Sequence, residues 1–359
     1  MKRLLTITLL TICLLEISSC SKSSDEAIII VDPPMDNLIY RKIEYSGVAS
    51  LSEARVGLAA AAAGNKIVFA GGGTAGGAAY SSAVDIYDVS TNAWTTTRLS
   101  EARYHLAAAA AGTKVVFAGG LNATGYSKVV DIYDVSTNTW STAQLSQARG
   151  RLTAAAAGNK IVFAGGDTGL NYVSTVDIYD VSTNVWTTAQ LSQGRRRLAG
   201  AAAGNKILFA GGQSNTGDSK VVDIYDVSTN TWTTSQLSET RYDLAGAGAG
   251  GKIVFSGGGN AKTADIYNVV TGLWTTLPVP EDRKYVSAAA GGSKIVFGGG
   301  GSSATVDIYD VELNTFSTLQ FSELTSDLAA ASTGNKLLFA GGDLSSGLSK
   351  VVNVYTLSR

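Results

Sequence analysis

An apolar run that closes on a glycine pair recurs along this chain, and no other feature constrains the fold as much. One copy reads Lys206-Ile207-Leu208-Phe209-Ala210-Gly211-Gly212. The seven pairs are Gly71-Gly72, Gly119-Gly120, Gly165-Gly166, Gly211-Gly212, Gly257-Gly258, Gly299-Gly300 and Gly341-Gly342, spaced by 48, 46, 46, 46, 42 and 42 residues. Self-similarity at such a period marks one supersecondary unit that stacks on copies of itself. At 359 residues the chain is long for one ordinary domain and normal for such an array.

Residues 147–191 show what the unit is. Arg149-Gly150-Arg151-Leu152-Thr153-Ala154-Ala155-Ala156-Ala157 is alanine-rich, which favours helix by propensity. The stretch is nevertheless too short between turn signals to hold one, and small side chains suit a strand crowded around a central axis. Gly158-Asn159 is a tight turn, followed by the buried strand Lys160-Ile161-Val162-Phe163-Ala164. Gly165-Gly166 lets a neighbouring backbone come closer than a Cβ allows. Residues 175–181 alternate with period two, Ser182-Thr183-Asn184 is a polar turn, and residues 185–191 are a fourth strand. Four strands per repeat make an antiparallel meander, the blade of a propeller, with strands a to d in chain order.

Arginine at the start, an apolar strand with Gly-Gly, then tyrosine, then tryptophan: this order resembles the Kelch repeat. The tyrosines are Tyr87, Tyr133, Tyr179, Tyr225, Tyr267, Tyr309 and Tyr355; the tryptophans are Trp94, Trp140, Trp186, Trp232 and Trp274, with Phe316 in the sixth place. The resemblance covers about residues 37–359. It implies an all-β, seven-bladed Kelch-type β-propeller with four-stranded antiparallel blades around a central channel. The seventh copy stops before its Trp strand, so residues 39–45 are expected to join the last blade and close the ring.

The chain opens with Lys2 and Arg3 ahead of an apolar run over residues 4–15, the pattern of a signal peptide. A spanning helix needs about 20 apolar residues, and this run is shorter. Ile17-Ser18-Ser19-Cys20 resembles the lipobox of bacterial lipoproteins, with Ile17 where leucine is usual. The expected division is a signal peptide over 1–19, lipidated Cys20 and a tether over 20–36, and the propeller over 37–359. The short charged stretch after Cys20 is similar to export signals of Bacteroidetes-type surface lipoproteins. The expected location is the outer membrane or cell surface of a Gram-negative bacterium, with membrane contact only through the lipid on Cys20.

A formal net charge of −1 gives no electrostatic case for a nucleic-acid partner. With two cysteines, Cys13 and Cys20, and one histidine, His105, a disulfide framework and a His/Cys metal site are both excluded. No cofactor is expected, and the chain reads as a monomer.

The copies differ most just after the repeated arginine: Val56-Gly57, Tyr104-His105, Gly150-Arg151, Arg196-Arg197, Tyr242-Asp243, Lys284-Tyr285 and Ser326-Asp327. In ligand-binding Kelch propellers this end of strand a and the b–c loops form the binding face. The candidate ligand-binding residues are therefore Tyr104, His105, Arg151, Arg196, Arg197, Tyr242, Asp243, Lys284, Tyr285 and Asp327. Guanidiniums suit carboxylates and phosphates, and tyrosines stack on sugars or peptide side chains. Arg151, Arg196 and Arg197, with Arg149 and Arg195, read as a basic sector facing acidic Asp243 and Asp327. From the second glycine to the tyrosine the b–c loop takes 15 residues in blade 1, 13 in most others and 9 in blades 5 and 6, which predicts a notched rim there.

The repeated arginines Arg55, Arg103, Arg149, Arg195, Arg241 and Arg283, with Thr325 in the seventh copy, read as structural, bonding loop carbonyls between blades. Asp88, Asp134, Asp180 and Asp226 read as Asx-type turns rather than calcium ligands. The function expected is a binding module for a glycan or a protein. Copper-radical chemistry of the galactose-oxidase type is excluded by the lack of a second histidine. A metal-free enzyme of the sialic-acid mutarotase type and a structural component of a surface complex are the alternatives.

Overall fold

The computed structural model describes residues 42–74, 79–300 and 304–358. The expected signal peptide, Cys20, the expected tether and the first residues of the expected closing strand lie outside the described residues. Those described form strands and turns, with no helix among them.

Seven four-stranded antiparallel sheets are present among the described residues. In blade 3 the strands are a Thr153–Ala157, b Lys160–Ala164, c Thr175–Asp180 and d Val185–Gln190, hydrogen-bonded in that order. Strand a of each sheet packs against strand a of the next, and Ala59–Ala63 packs against both Ala107–Ala111 and Ala329–Thr333. Alanine suits these innermost strands because they crowd one another. The apolar core lies between blades: Val162, Val176 and Ile178 of blade 3 meet Ile207, Phe209 and Tyr225 of blade 4. Fully burying each such side chain contributes about 1.5–3 kcal/mol. The strand-d tryptophan covers the outer end, Trp186 stacking 4.7 Å from Tyr179 between ring centres.

The last sheet runs Ala329–Thr333, Lys336–Ala340, Val351–Ser358 and then the N-terminal strand Lys42–Ser50 at its outer edge. Tyr45 pairs with Tyr355 as Trp186 pairs with Tyr179. The two tyrosine rings meet edge to face at 5.7 Å, so Tyr45 takes the place of the missing tryptophan.

Strand a is shorter than its sequence suggests. Arg149-Gly150-Arg151 precedes the strand rather than forming its start, because Arg151 is left-handed at φ 50° and turns the chain away from the sheet. The glycine pair has an equally specific cause. The second glycine donates its N–H to the carbonyl of the next blade's repeated arginine, as Gly166 does to Arg195 at 2.8 Å. A Cβ on the first, Gly165, would lie 2.5 Å from that same carbonyl oxygen.

Candidate functional site

The repeated arginine anchors the segment that carries the candidate residues. Arg55 is fully buried. Its Nη1 donates to the carbonyls of Gly71 at 2.8 Å and Ala83 at 2.7 Å, and its Nη2 pairs with Asp85. Asp85 also accepts the Ser52 N–H at 2.9 Å. These carbonyls belong to the arginine's own blade, so the side chain braces one blade internally. It is the main-chain carbonyl that reaches the neighbour. The acidic partner, repeated as Asp85, Asp131, Asp177, Asp223, Asp265 and Asp307, is a residue that sequence reasoning missed. A signal existed: the one copy with Thr325 for arginine has Asn353 for aspartate.

Two residues past the arginine, or past Thr325 in the seventh copy, the backbone turns left-handed. His105, Arg151, Arg197, Asp243, Tyr285 and Asp327 have φ of 50° to 56°, and Gly57 has 60°. The N–H of each donates to the carbonyl of its counterpart in the adjoining blade: His105 to Gly57, Arg151 to His105, Arg197 to Arg151, Asp243 to Arg197, Tyr285 to Asp243, Asp327 to Tyr285, and Gly57 to Asp327. These seven bonds, 2.9 to 3.3 Å long, form one closed main-chain circuit. It rings a cavity of about 180 Å³ lined by those seven residues with Leu58, Leu106 and Leu152.

Of the ten candidate residues, His105, Arg151, Arg197, Asp243, Tyr285 and Asp327 are thus brought together at the cavity. Tyr104, Arg196, Tyr242 and Lys284, one residue earlier, do not line it. The main chain of Tyr104 pairs with Leu121 just past its blade's glycine pair, and its ring packs on Tyr80 and His105. Lys284 lines an outer groove with Leu324 and Asp343. In blade 5 no two-residue hairpin follows the glycine pair, unlike Gly73–Thr74 with Ala79–Tyr80 in blade 1. The blade 6 loop includes residues 301–303, which lie outside the described residues.

The expected basic sector is corrected by the ion pairs. Arg149 and Arg195 are fully buried against Asp177 and Asp223. Arg197 Nη1 meets Asp243 Oδ2 at 2.9 Å. Asp167, 1% exposed and also missed from sequence, takes Arg151 at 3.2 Å and Arg196 at 3.3 Å through one oxygen. Arg196 further lies 4.5 Å over the Tyr172 ring. The Asp327 carboxylate accepts no hydrogen bond and forms no ion pair among the described residues.

Two cavity residues titrate far from their ordinary values. Burial, then the charges of Arg151 and Arg197, lower His105 to about 4, so its imidazole is neutral at pH 7. Burial, then the charge of Asp243, raises Asp327 to about 6. Asp243 is itself raised by burial, against the pull of Arg197. Lys66 and Ser90 hold Asp88 below the carboxylate range, and the Ser90 N–H bond at 2.9 Å is the Asx turn expected there. Among the described residues no group of three or more His, Cys, Asp or Glu side chains is placed to hold a metal ion.

A family model described as the KLHDC2/KLHL20/DRC7 Kelch-repeats domain matches residues 21–194 and 57–244. No curated protein matches the chain.

Proposed function

The chain belongs to the Kelch-repeat family, and from that premise we propose that it is a binding module whose ligand, a glycan or a protein, sits over the axial cavity. The family fold fits a protein-interaction module. One observation carries the reading: six side chains, including a tyrosine and a histidine, occupy left-handed positions that glycine fills at least cost. Gly57 does so in blade 1, so glycine is compatible with the hydrogen-bonded circuit. Backbone strain retained at six equivalent places, around one cavity, supports a role for what the side chains hold.

Glycan and peptide arrays probed with the protein test this. Arg197→Gly and Tyr285→Gly should lose the captured ligand. Tyr285→Gly, which takes away no ion-pair partner, should do so while melting at or above the parent temperature, whereas Arg197→Gly also strands Asp243 and should melt lower. Ligands held equally by both variants would remove the cavity from the binding site. We also propose that the lipid on Cys20 tethers the protein to the membrane. Cys20→Ser should abolish incorporation of labelled palmitate, and incorporation that survives the change would refute the tether.

A further inference from the structure

The charges around the cavity are not paired evenly. Arg197 and Asp243 cancel as a direct pair at 2.9 Å. Asp167 answers two guanidiniums, Arg151 and Arg196, with one carboxylate, so that group keeps one positive charge in excess. Arg151 also keeps a buried Nε–H without a partner. The Asp327 carboxylate has no partner among the described residues, so that side keeps one negative charge in excess. In the order of the main-chain circuit Arg151 and Asp327 stand three steps apart one way and four the other, which sets them across the axis from each other. His105, held neutral, lies on the shorter arc with Gly57 and adds no charge between them.

A cavity with a positive wall and a negative wall is matched by a ligand carrying both charges. A monopole satisfies one wall and leaves the other charge desolvated and unpaired, which is costly. From this geometry we infer that the cavity takes a small zwitterion, its carboxylate on Arg151 and its ammonium on Asp327, that is, a compound of the amino-acid class. The inference rests on the reading of the axial cavity as the binding site. The size agrees: about 180 Å³ is below the roughly 300–1,000 Å³ of drug-sized pockets. Both charged groups use contacts that charge-assisted hydrogen bonds make strong, guanidinium to carboxylate and ammonium to carboxylate.

The test is calorimetric titration of the protein at neutral pH with glycine, β-alanine and 4-aminobutyrate, and with butyrate and butylammonium as monopoles. At least one amino acid should bind with a dissociation constant below roughly 10 mM, and at least about tenfold tighter than either monopole. Asp327→Asn should bind that amino acid no better than butyrate, and Arg151→Gly no better than butylammonium. Asparagine tolerates the left-handed conformation, and Gly57 already sits in the circuit, so both variants suit their sites. Should either fail to fold, the probe series on the unaltered protein still decides. A monopole that binds as tightly as every amino acid, or no binding by any of the three amino acids, overturns the inference. Array ligands lost in Arg197→Gly while the amino acids stay silent would overturn this inference alone and leave the binding site standing.

Discussion

Arg149 and Asp177 meet at 2.7 Å with side chains 0% and 4% exposed, an ion pair with almost no water around it. Taking one partner away strands the other charge in the blade, which typically costs about 3–5 kcal/mol. The seventh blade shows an uncharged solution at the same two places, Thr325 and Asn353. Arg149→Thr should therefore destabilise by about 3–5 kcal/mol, and adding Asp177→Asn should restore at least about 1 kcal/mol of that. Denaturant unfolding of the two single variants and the double variant checks this. Strictly additive losses would show that the pair is not coupled.

The glycine pair makes a second, separable prediction. Gly211 at φ 67° would place a Cβ 2.7 Å from the Arg241 carbonyl oxygen, whereas Gly259 at φ 61° has nothing within 4 Å. Alanine at either site bears the left-handed cost of about 1–2 kcal/mol. Only Gly211→Ala must also push two blades apart, adding about 1–3 kcal/mol. Equal losses in the two alanine variants would show that close approach of blades is not what the pair provides.

How much of this was legible in the sequence depended on whether the signal was repeated. Strands b, c and d were legible because period-two patterning and the Tyr and Trp series recur in register. The cavity residues were legible as positions, since the copies diverge there, but their left-handed backbone was not. A left-handed turn shows in sequence through glycine or asparagine, and six of these seven positions carry neither. The charge pattern failed for another reason. Arg151 and Arg196 read as part of a basic sector because their partner, Asp167, stands alone in a variable loop and is brought back only by folding. The buried Arg–Asp pairs were in plain view, but the aspartate sits mid-strand in an apolar run, where alternation hid its role.

The N-terminal strand offers a third test. Lys42–Ser50 covers the edge of Val351–Ser358, where Tyr355 and Leu357 are 0% and 1% exposed. Without it, that edge and the face under Tyr45 open to water, and an open apolar edge pairs with other chains. Deleting residues 42–50 should lower the melting temperature and cause aggregation, seen by calorimetry and light scattering. A deletion variant that melts like the parent and stays monodisperse would mean that the last sheet is stable with three strands.

The last prediction joins the two displaced titrations at the cavity. His105 titrates near 4 in the folded chain against about 6.5 unfolded, so between those values the folded state binds fewer protons and stability rises with pH. Asp327 titrates near 6 against about 3.9 unfolded, so there the folded state binds more protons and stability falls with pH. Between roughly pH 4 and 6 the two slopes oppose each other, each at most about 1.4 kcal/mol per pH unit and less where water screens a partly exposed group. Asp327→Asn should unmask the histidine, giving a stability that climbs more steeply than the parent's from pH 4 to 6. His105→Asn should do the reverse. Urea unfolding midpoints taken across that range provide the measurement. Curves for the two variants that stay parallel to the parent's would mean that neither group changes its proton affinity on folding.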